Sequence, residues 1–300
     1  MRAEFVKAIE TLGLKDEKLI FLTGDLGFNA FENLVKKLGR RFINAGVAEQ
    51  NMFGVAAGLA YMGFRPWVYS IAPFATLKTV EQVRNDICHL GLPVKIVGIG
   101  GGYGYGIMGS THHVLEDISF YNTLPGIKVY VPAFSEDVGQ AVKNMHRESQ
   151  PGYLRLNIAK KQNLKLPAYG GVRKIFSGEG MTLVVLGPLI HNALDALKYF
   201  PEATADLWSV TEFPLKVPTS LIHSIKKTKK LLVVEECTNV NGLGERLEIC
   251  LYKNRVCPRK LSHLYARGYP SRLYGSHQFH WHENKLDAEG IKTEIRKLLT

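Results

Sequence analysis

The chain has 300 residues, of which 46% are hydrophobic and 22% charged. That balance is ordinary for a globular protein and excludes a disordered chain, a collagen-like repeat and a small disulfide scaffold. Lys and Arg number 38 against 27 acids, a net charge of +11. Such a surface suits anionic ligands, an acidic partner chain or nucleic acid. The basic runs are short, however: Lys36-Lys37 with Arg40-Arg41, Lys160-Lys161, and 226–230. None is interleaved with aromatics, so specific nucleic-acid binding is not expected. No apolar run approaches the ~18 residues of a membrane span. Residues 1–18 carry acids and no apolar core of the kind a signal peptide needs. Cys88, Cys237, Cys250 and Cys257 form no CxxC pair, which fits reduced thiols in a cytoplasmic protein.

Helices and apolar strands alternate along the chain. Residues 2–13 have helical spacing, and 18–25 is a short apolar strand ending at Gly24-Asp25. A small-residue helix is predicted over 48–62, a strand over 65–71, an amphipathic helix over 75–90 and a strand over 93–100. A strand at 127–133 precedes a helix over 135–148 with Ser135 as N-cap, and 152–157 is a further strand. The polar, turn-rich stretch 160–174 reads as a linker. The pattern then restarts: strand 181–188, helix 190–200, strand 203–210, helix 218–225, strand 230–236, and helices over 243–253 and 287–299. The expected fold is α/β with two domains, 1–165 and 166–300, each a mainly parallel sheet covered by helices.

Three segments could carry chemistry. In the glycine-rich stretch 98–110, Gly104, Gly106 and Gly109 match a dinucleotide fingerprint, but the stretch is too long for a tight turn opening a helix. The glycines fit better as positions where backbone approaches something flat or anionic. His112 and His113 follow, imidazoles suited to proton transfer. His277, His280 and His282 could form a metal site with Glu283, although no spacing fixes their geometry; an aromatic surface or interface patch suits them better. Glu49 opens an otherwise apolar helix. A carboxylate there is either a dipole partner or cap, or a buried acid able to share a proton with a ring nitrogen.

Taken in order, several stretches carry a resemblance: GDLG at 24–27, GVAEQNM at 46–52, FATLKTVEQVRND at 74–86, GSTHHVLEDI at 109–118, PGYLRLN at 151–157, VVEECTNVNGLGE at 233–245 and LDAEGI at 286–291. The chain resembles the C-terminal half of transketolase, its pyrimidine-binding plus C-terminal domains, and more closely the C-terminal subunit of a split transketolase. It is similar, at greater distance, to deoxyxylulose-phosphate synthase and to the beta subunit of 2-oxo acid dehydrogenases.

The resemblance implies thiamine diphosphate (ThDP) chemistry and transfer of a two-carbon ketol unit from a ketose to an aldose. It gives Glu49 the contact to the aminopyrimidine nitrogen, where proton sharing in a low-dielectric pocket activates the cofactor. It makes Phe74 the ring that stacks on the pyrimidine, with Ile71 replacing a second family aromatic and Asp25 an acid near the cofactor. His112 matches a substrate-contacting histidine. Arg155 and Arg2 match arginines that hold a sugar phosphate, for which a guanidinium fork is well shaped. Two departures alter this set. Met108 stands where the family has an aspartate on a sugar hydroxyl, and Gly100 stands where it has a phosphate-binding histidine. Both point to a donor or acceptor other than the usual pentose phosphates, such as a modified sugar.

The family holds Mg²⁺ and the diphosphate with Gly-Asp-Gly and a later Asn. Gly24-Asp25-Leu26 is not that motif. The expected metal site in this chain is therefore none, and a separate subunit is expected to hold Mg²⁺ and the diphosphate. The implied assembly is a two-fold heterotetramer in which this chain also self-associates. Two rival readings remain: a 2-oxo acid decarboxylating subunit, and a non-catalytic scaffold that has kept the fold.

Overall fold

The computed structural model describes residues 1–159 and 164–300. The apolar runs form strands β1 Leu19–Thr23, β2 Phe42–Asn44, β3 Arg65–Ile71, β4 Lys95–Ile99, β5 Lys128–Tyr130 and β6 Gly152–Leu156. Further along come β7 Val172–Phe176, β8 Met181–Leu186, β9 Ala205–Val210, β10 Glu212–Phe213, β11 Lys230–Val234 and β12 Lys260–Leu264. The first sheet runs β10-β5-β6-β4-β3-β1-β2 and is parallel except for β10, which is antiparallel to β5. The second runs β12-β11-β8-β9-β7 and is parallel except for β7, antiparallel to β9. Strands β1, β6, β8 and β9 are buried along their whole length, as parallel strands covered on both faces must be.

Helix Arg2–Lys15, helix Glu32–Leu38 and helix Val138–Arg147 cover one face of the first sheet, around Phe5, Phe21, Trp67 and Val142. Helix Glu49–Tyr61 covers the other face, burying Met52, Phe53, Ala56, Ala57 and Ala60 at helical spacing. That core continues without interruption into one face of the second sheet, through Val184, Trp208, Leu221 and Val233. Each such buried large apolar side chain contributes about 1.5–3 kcal/mol.

The structure departs from the sequence-based expectations in several places. The single helix expected over 75–90 is broken. A short helix spans Ala72–Ala75, a 3-10 turn Leu77–Thr79, an α turn Val80–Gln82 and a π turn Val83–Cys88. Thr76 Oγ1 donates to the Ala72 carbonyl (2.7 Å) and Thr79 Oγ1 to that of Ala75 (3.0 Å), so hydroxyls take acceptors a continuous helix would use. The cap expected at Ser135 is not made. A 3-10 turn, Ser135–Asp137, leads into helix Val138–Arg147, and Asp137 Oδ2 accepts the amides of Ala133 and Phe134 (3.1 and 3.0 Å). Within the stretch read as a linker, residues 160–163 lie outside the described residues, while residues 172–174 already belong to β7. Strand β10 lies beyond residue 166 yet extends the first sheet.

Candidate active site

Parallel α/β sheets present ligand sites where strands end and chain turns into loops and helices. Here β1, β3 and β4 are adjacent in the sheet, and their C-terminal ends deliver three segments to one edge. After β1 comes Gly24-Asp25. After β3 comes the Ala72–Ala75 turn with Phe74. After β4 comes the glycine-rich loop that ends at His112-His113. Helix Glu49–Tyr61, which follows β2, places Glu49 in its first turn. Glu49 is only 2% exposed. Its Oε2 accepts from Lys78 Nζ at 2.6 Å, and the same ammonium lies 5.5 Å from the centre of the Phe74 ring. Phe74, half-buried, meets His112 edge-on at 5.5 Å between ring centres. Tyr105 lies 5.9 Å from the same imidazole. Thr111 Oγ1 is 2.9 Å from His112 Nδ1, which orients the ring. Acid, aromatic face and imidazole thus form one row joined by Lys78 and the rings.

The second sheet braces the glycine-rich loop from behind. Glu236, at the end of β11, is buried and accepts from the Tyr103 amide (3.1 Å), Trp281 Nε1 (2.8 Å) and Asn157 Nδ2 (3.2 Å), and lies 2.6 Å from His277 Nε2. Burial pushes its carboxyl up, but His277 and Arg155 beside it hold it below the usual carboxylate range. A Cβ on Gly102 would stand 2.4 Å from the Glu236 carboxyl carbon, so only glycine admits this approach, and its φ of +66° favours glycine as well. What these glycines let near the backbone is therefore the protein's own Glu236, Arg155 and Tyr105. His113 is buried against Tyr269, whose hydroxyl is 3.0 Å from Nδ1, and faces His280 at 5.1 Å between ring centres. Burial, reinforced by His280, pushes the His113 imidazole down to about 4.

Residues 1–165 match the family model described as the transketolase pyrimidine binding domain. The chain belongs to the transketolase family. It is 28% identical to an apulose-4-phosphate transketolase subunit of Phocaeicola vulgatus, over 97% of this chain and 94% of that one. It is also 28% identical to the 6-deoxy-6-sulfo-D-fructose transketolase subunit SqwH of a Clostridium species, over 89% and 84%. Among solved structures, a split-gene transketolase described as an inactive beta4 tetramer superposes with a TM-score of 0.86 at 26% identity, covering 99% of this chain and 97% of that one.

Within this transketolase-family fold, the residues singled out in the sequence separate into two groups. Glu49, Phe74 and His112 come together at the strand-end edge. Asp25 is exposed with φ +55°, exchanging hydrogen bonds with Asn44. The adjacent Gly24 would bring a Cβ to 3.9 Å from Glu49 Cγ, which sets that loop beside the carboxylate. Ile71 is buried at the end of β3, directly before the turn bearing Phe74. Arg2 donates to the Phe28 carbonyl (3.4 Å) and lies near Tyr69 and Tyr105, its charge opposing the upward push of burial on both phenols. Arg155 belongs to the second group. It is 4% exposed, 3.3 Å from Asp117 Oδ1, and donates to the Glu236 carbonyl at 2.8 Å, so the chain offers its guanidinium no open face. His277 and His280 are buried rather than forming a surface patch, because Glu236 engages His277 and the Tyr103 ring stacks on His280 at 4.8 Å. Among the described residues no group of three or more His, Cys, Asp or Glu side chains could hold a metal ion. Sequence reasoning passed over Lys78, Tyr105, Glu236 and Tyr274, whose ring lies against Gly109 and whose hydroxyl is 2.9 Å from Ser110 Oγ. No spacing in the sequence marks Lys78, because the chain between Phe74 and Lys78 leaves the helix for a 3-10 turn.

Proposed function

We propose that this chain is the C-terminal subunit of a ThDP-dependent transketolase-like enzyme. It would transfer a two-carbon ketol unit from a ketose to an aldose, active only with a separate diphosphate-binding subunit. The observation that carries this reading is the row of Glu49, Phe74 and His112 at one strand-end edge, with a nearly buried carboxylate beside an aromatic face. That donor set fits a flat, basic aminopyrimidine: the carboxylate answers a ring nitrogen and the phenyl face answers the ring plane. When bound, ThDP supplies the nucleophilic carbon that the ketol unit needs. Glu49 holds or shares a proton at the ring nitrogen, and Ile71 and Asp25 line the same end of the sheet. His112, held by Thr111, hydrogen-bonds carbonyl and hydroxyl oxygens of the sugar. Arg2 meets its phosphate. Arg155, engaged by Asp117 and Glu236, braces the glycine-rich loop instead.

The partner subunit would hold Mg²⁺ and the diphosphate, in a cytoplasmic two-fold heterotetramer. A modified sugar is supported by two features of the loop. Gly100 has φ +72°, and a Cβ there would lie 2.2 Å from the Tyr105 ring, so tyrosine fills the space a larger side chain would need. Ile107 and Met108 present 76% and 53% of their surface next to His112, an apolar lip where charge would recognise a sugar hydroxyl. The two relatives carry apulose-4-phosphate and 6-deoxy-6-sulfo-D-fructose in their names, which is consistent with substrates outside the common pentose phosphates.

The test is a tagged pull-down from the native host with the co-purifying chain sequenced. A stoichiometric chain bearing Gly-Asp-Gly and a later Asn is expected. In the reconstituted complex, Glu49→Ala should lower turnover by at least about 100-fold, or ~3 kcal/mol, with circular dichroism unchanged. Xylulose 5-phosphate with ribose 5-phosphate should be a poor pair. Absence of such a chain together with failure to bind ThDP and Mg²⁺ would sink the catalytic reading; efficient use of both pentose phosphates would sink the modified-sugar part alone.

A further inference from the structure

A carboxylate with 2% of its residue surface exposed needs a compensating charge or hydrogen bonds. Glu49 obtains a charge from Lys78, whose own side chain stays 46% exposed, so the ammonium remains partly hydrated while it bonds Oε2. The lysine reaches Glu49 because the expected helix is broken. The Thr76 hydroxyl back-bond and the 3-10 turn Leu77–Thr79 swing residue 78 against helix Glu49–Tyr61. The bond takes Oε2 and leaves Oε1 outside it. The same Nζ lies over the Phe74 ring, fixing the acid relative to the aromatic face.

We propose that Lys78 is a positioning residue for Glu49: its bond to Oε2 fixes the carboxylate plane and presents Oε1 toward the ring-binding edge. Lys78 itself bonds no reacting atom. The inference rests on the reading of Glu49 as the partner of the aminopyrimidine nitrogen. It assigns the broken helix a purpose, since a regular helix over 75–90 would carry residue 78 along a different face. Arginine can replace lysine here because it keeps the charge and the donor, whereas methionine keeps only the stem.

The experiment uses the reconstituted two-chain enzyme with ThDP and Mg²⁺, comparing Lys78→Met, Lys78→Arg and Glu49→Gln. Two readouts do not depend on sugar turnover: cofactor Kd by fluorescence titration, and the rate of exchange of the thiazolium C2 proton with deuterium, quenched in acid and read by NMR. In Lys78→Met the exchange should slow at least tenfold while Kd changes less than threefold. Lys78→Arg should recover most of the rate, and Glu49→Gln should be slower still. Wild-type exchange in Lys78→Met with slow exchange in Glu49→Gln overturns the role of Lys78 and leaves the reading of Glu49 standing. Wild-type exchange in both overturns both. An arginine variant as slow as the methionine one, or a loss confined to Kd, also overturns it. Should Lys78→Met fail to fold, Lys78→Gln, polar and uncharged, carries the same comparison.

Discussion

His113 shows how a single side chain can be costly and still be kept. It is 3% exposed and lies next to His280, which is wholly buried, so a proton on either ring would put charge into apolar surroundings beside a second imidazole. Its folded value of about 4 lies below the 6.5 of a free histidine. Between those values the unfolded chain binds a proton that the folded chain refuses, so stability rises with pH across that window and falls as pH drops from about 6.5 toward 4. The full difference is about 3 kcal/mol at the acid end. Glu236 adds to the loss lower down, because its depressed carboxyl contributes stability above about 4.5 that goes as pH falls through its folded value. His113→Phe keeps an aromatic ring against Tyr269 and removes the titration. The slope of Tm against pH between 6.5 and 4.5 should flatten in that variant, whatever its Tm at neutral pH. An unchanged slope would place the proton uptake on another group.

The glycine-rich loop is held by an element from the other end of the chain. Tyr274 lies over Gly109, and its hydroxyl is 2.9 Å from Ser110 Oγ, beside His112. Gly109 has φ +72° and ψ −164°, a region nearly closed to other residues, and a Cβ would stand 2.9 Å from the Tyr274 ring. Gly109→Ala should therefore cost about 1–3 kcal/mol and lower kcat/KM of the reconstituted enzyme more than tenfold by displacing His112. Adding Tyr274→Ala removes the clash but not the backbone strain, so it should restore only part of the loss. Full restoration would show that the ring contact alone mattered; no loss in Gly109→Ala would show that the loop is not fixed at all. The strands were legible in the sequence because buried parallel strands are continuous apolar runs, as at β1, β4 and β8. Edge strands were not: β2 and β10 are three and two residues long, and half-exposed β12 shows no clear alternation. The grouping of Glu49, Phe74 and His112 at one edge was legible through their resemblance-bearing segments, and their roles are those proposed above. Lys78 was not, because its position depends on a helix break made by threonine back-bonds, and the Tyr274 contact joins residues 164 apart in sequence.

At the scale of the whole molecule, the two sheets share what holds them. One apolar core runs from Ile20 and Phe53 to Trp208 and Leu247. Strand β10 returns to pair with β5, and Arg155 and Asn157 at the end of β6 bond Glu236 at the end of β11. Domains joined only by a linker move and unfold separately, whereas a large apolar interface with buried polar ties couples them. The chain has three tryptophans. Trp67 is fully buried in the first sheet and Trp208 is 2% exposed in the second. Chains retaining only Trp67 (Trp208→Phe, Trp281→Phe) or only Trp208 (Trp67→Phe, Trp281→Phe) report the halves one at a time. Within each chain, the fluorescence midpoint should coincide with the circular-dichroism midpoint. A Trp67 signal lost several degrees away from the helical signal would mean that the halves melt independently. The coupling bears on catalysis as well as stability, because the brace on the glycine-rich loop comes from the second sheet. On the proposed roles of His112 and Glu49, a variant that loosens this brace, such as Trp281→Phe, which removes the Nε1 donor to Glu236, is expected to raise KM for the sugar more than it slows C2 proton exchange.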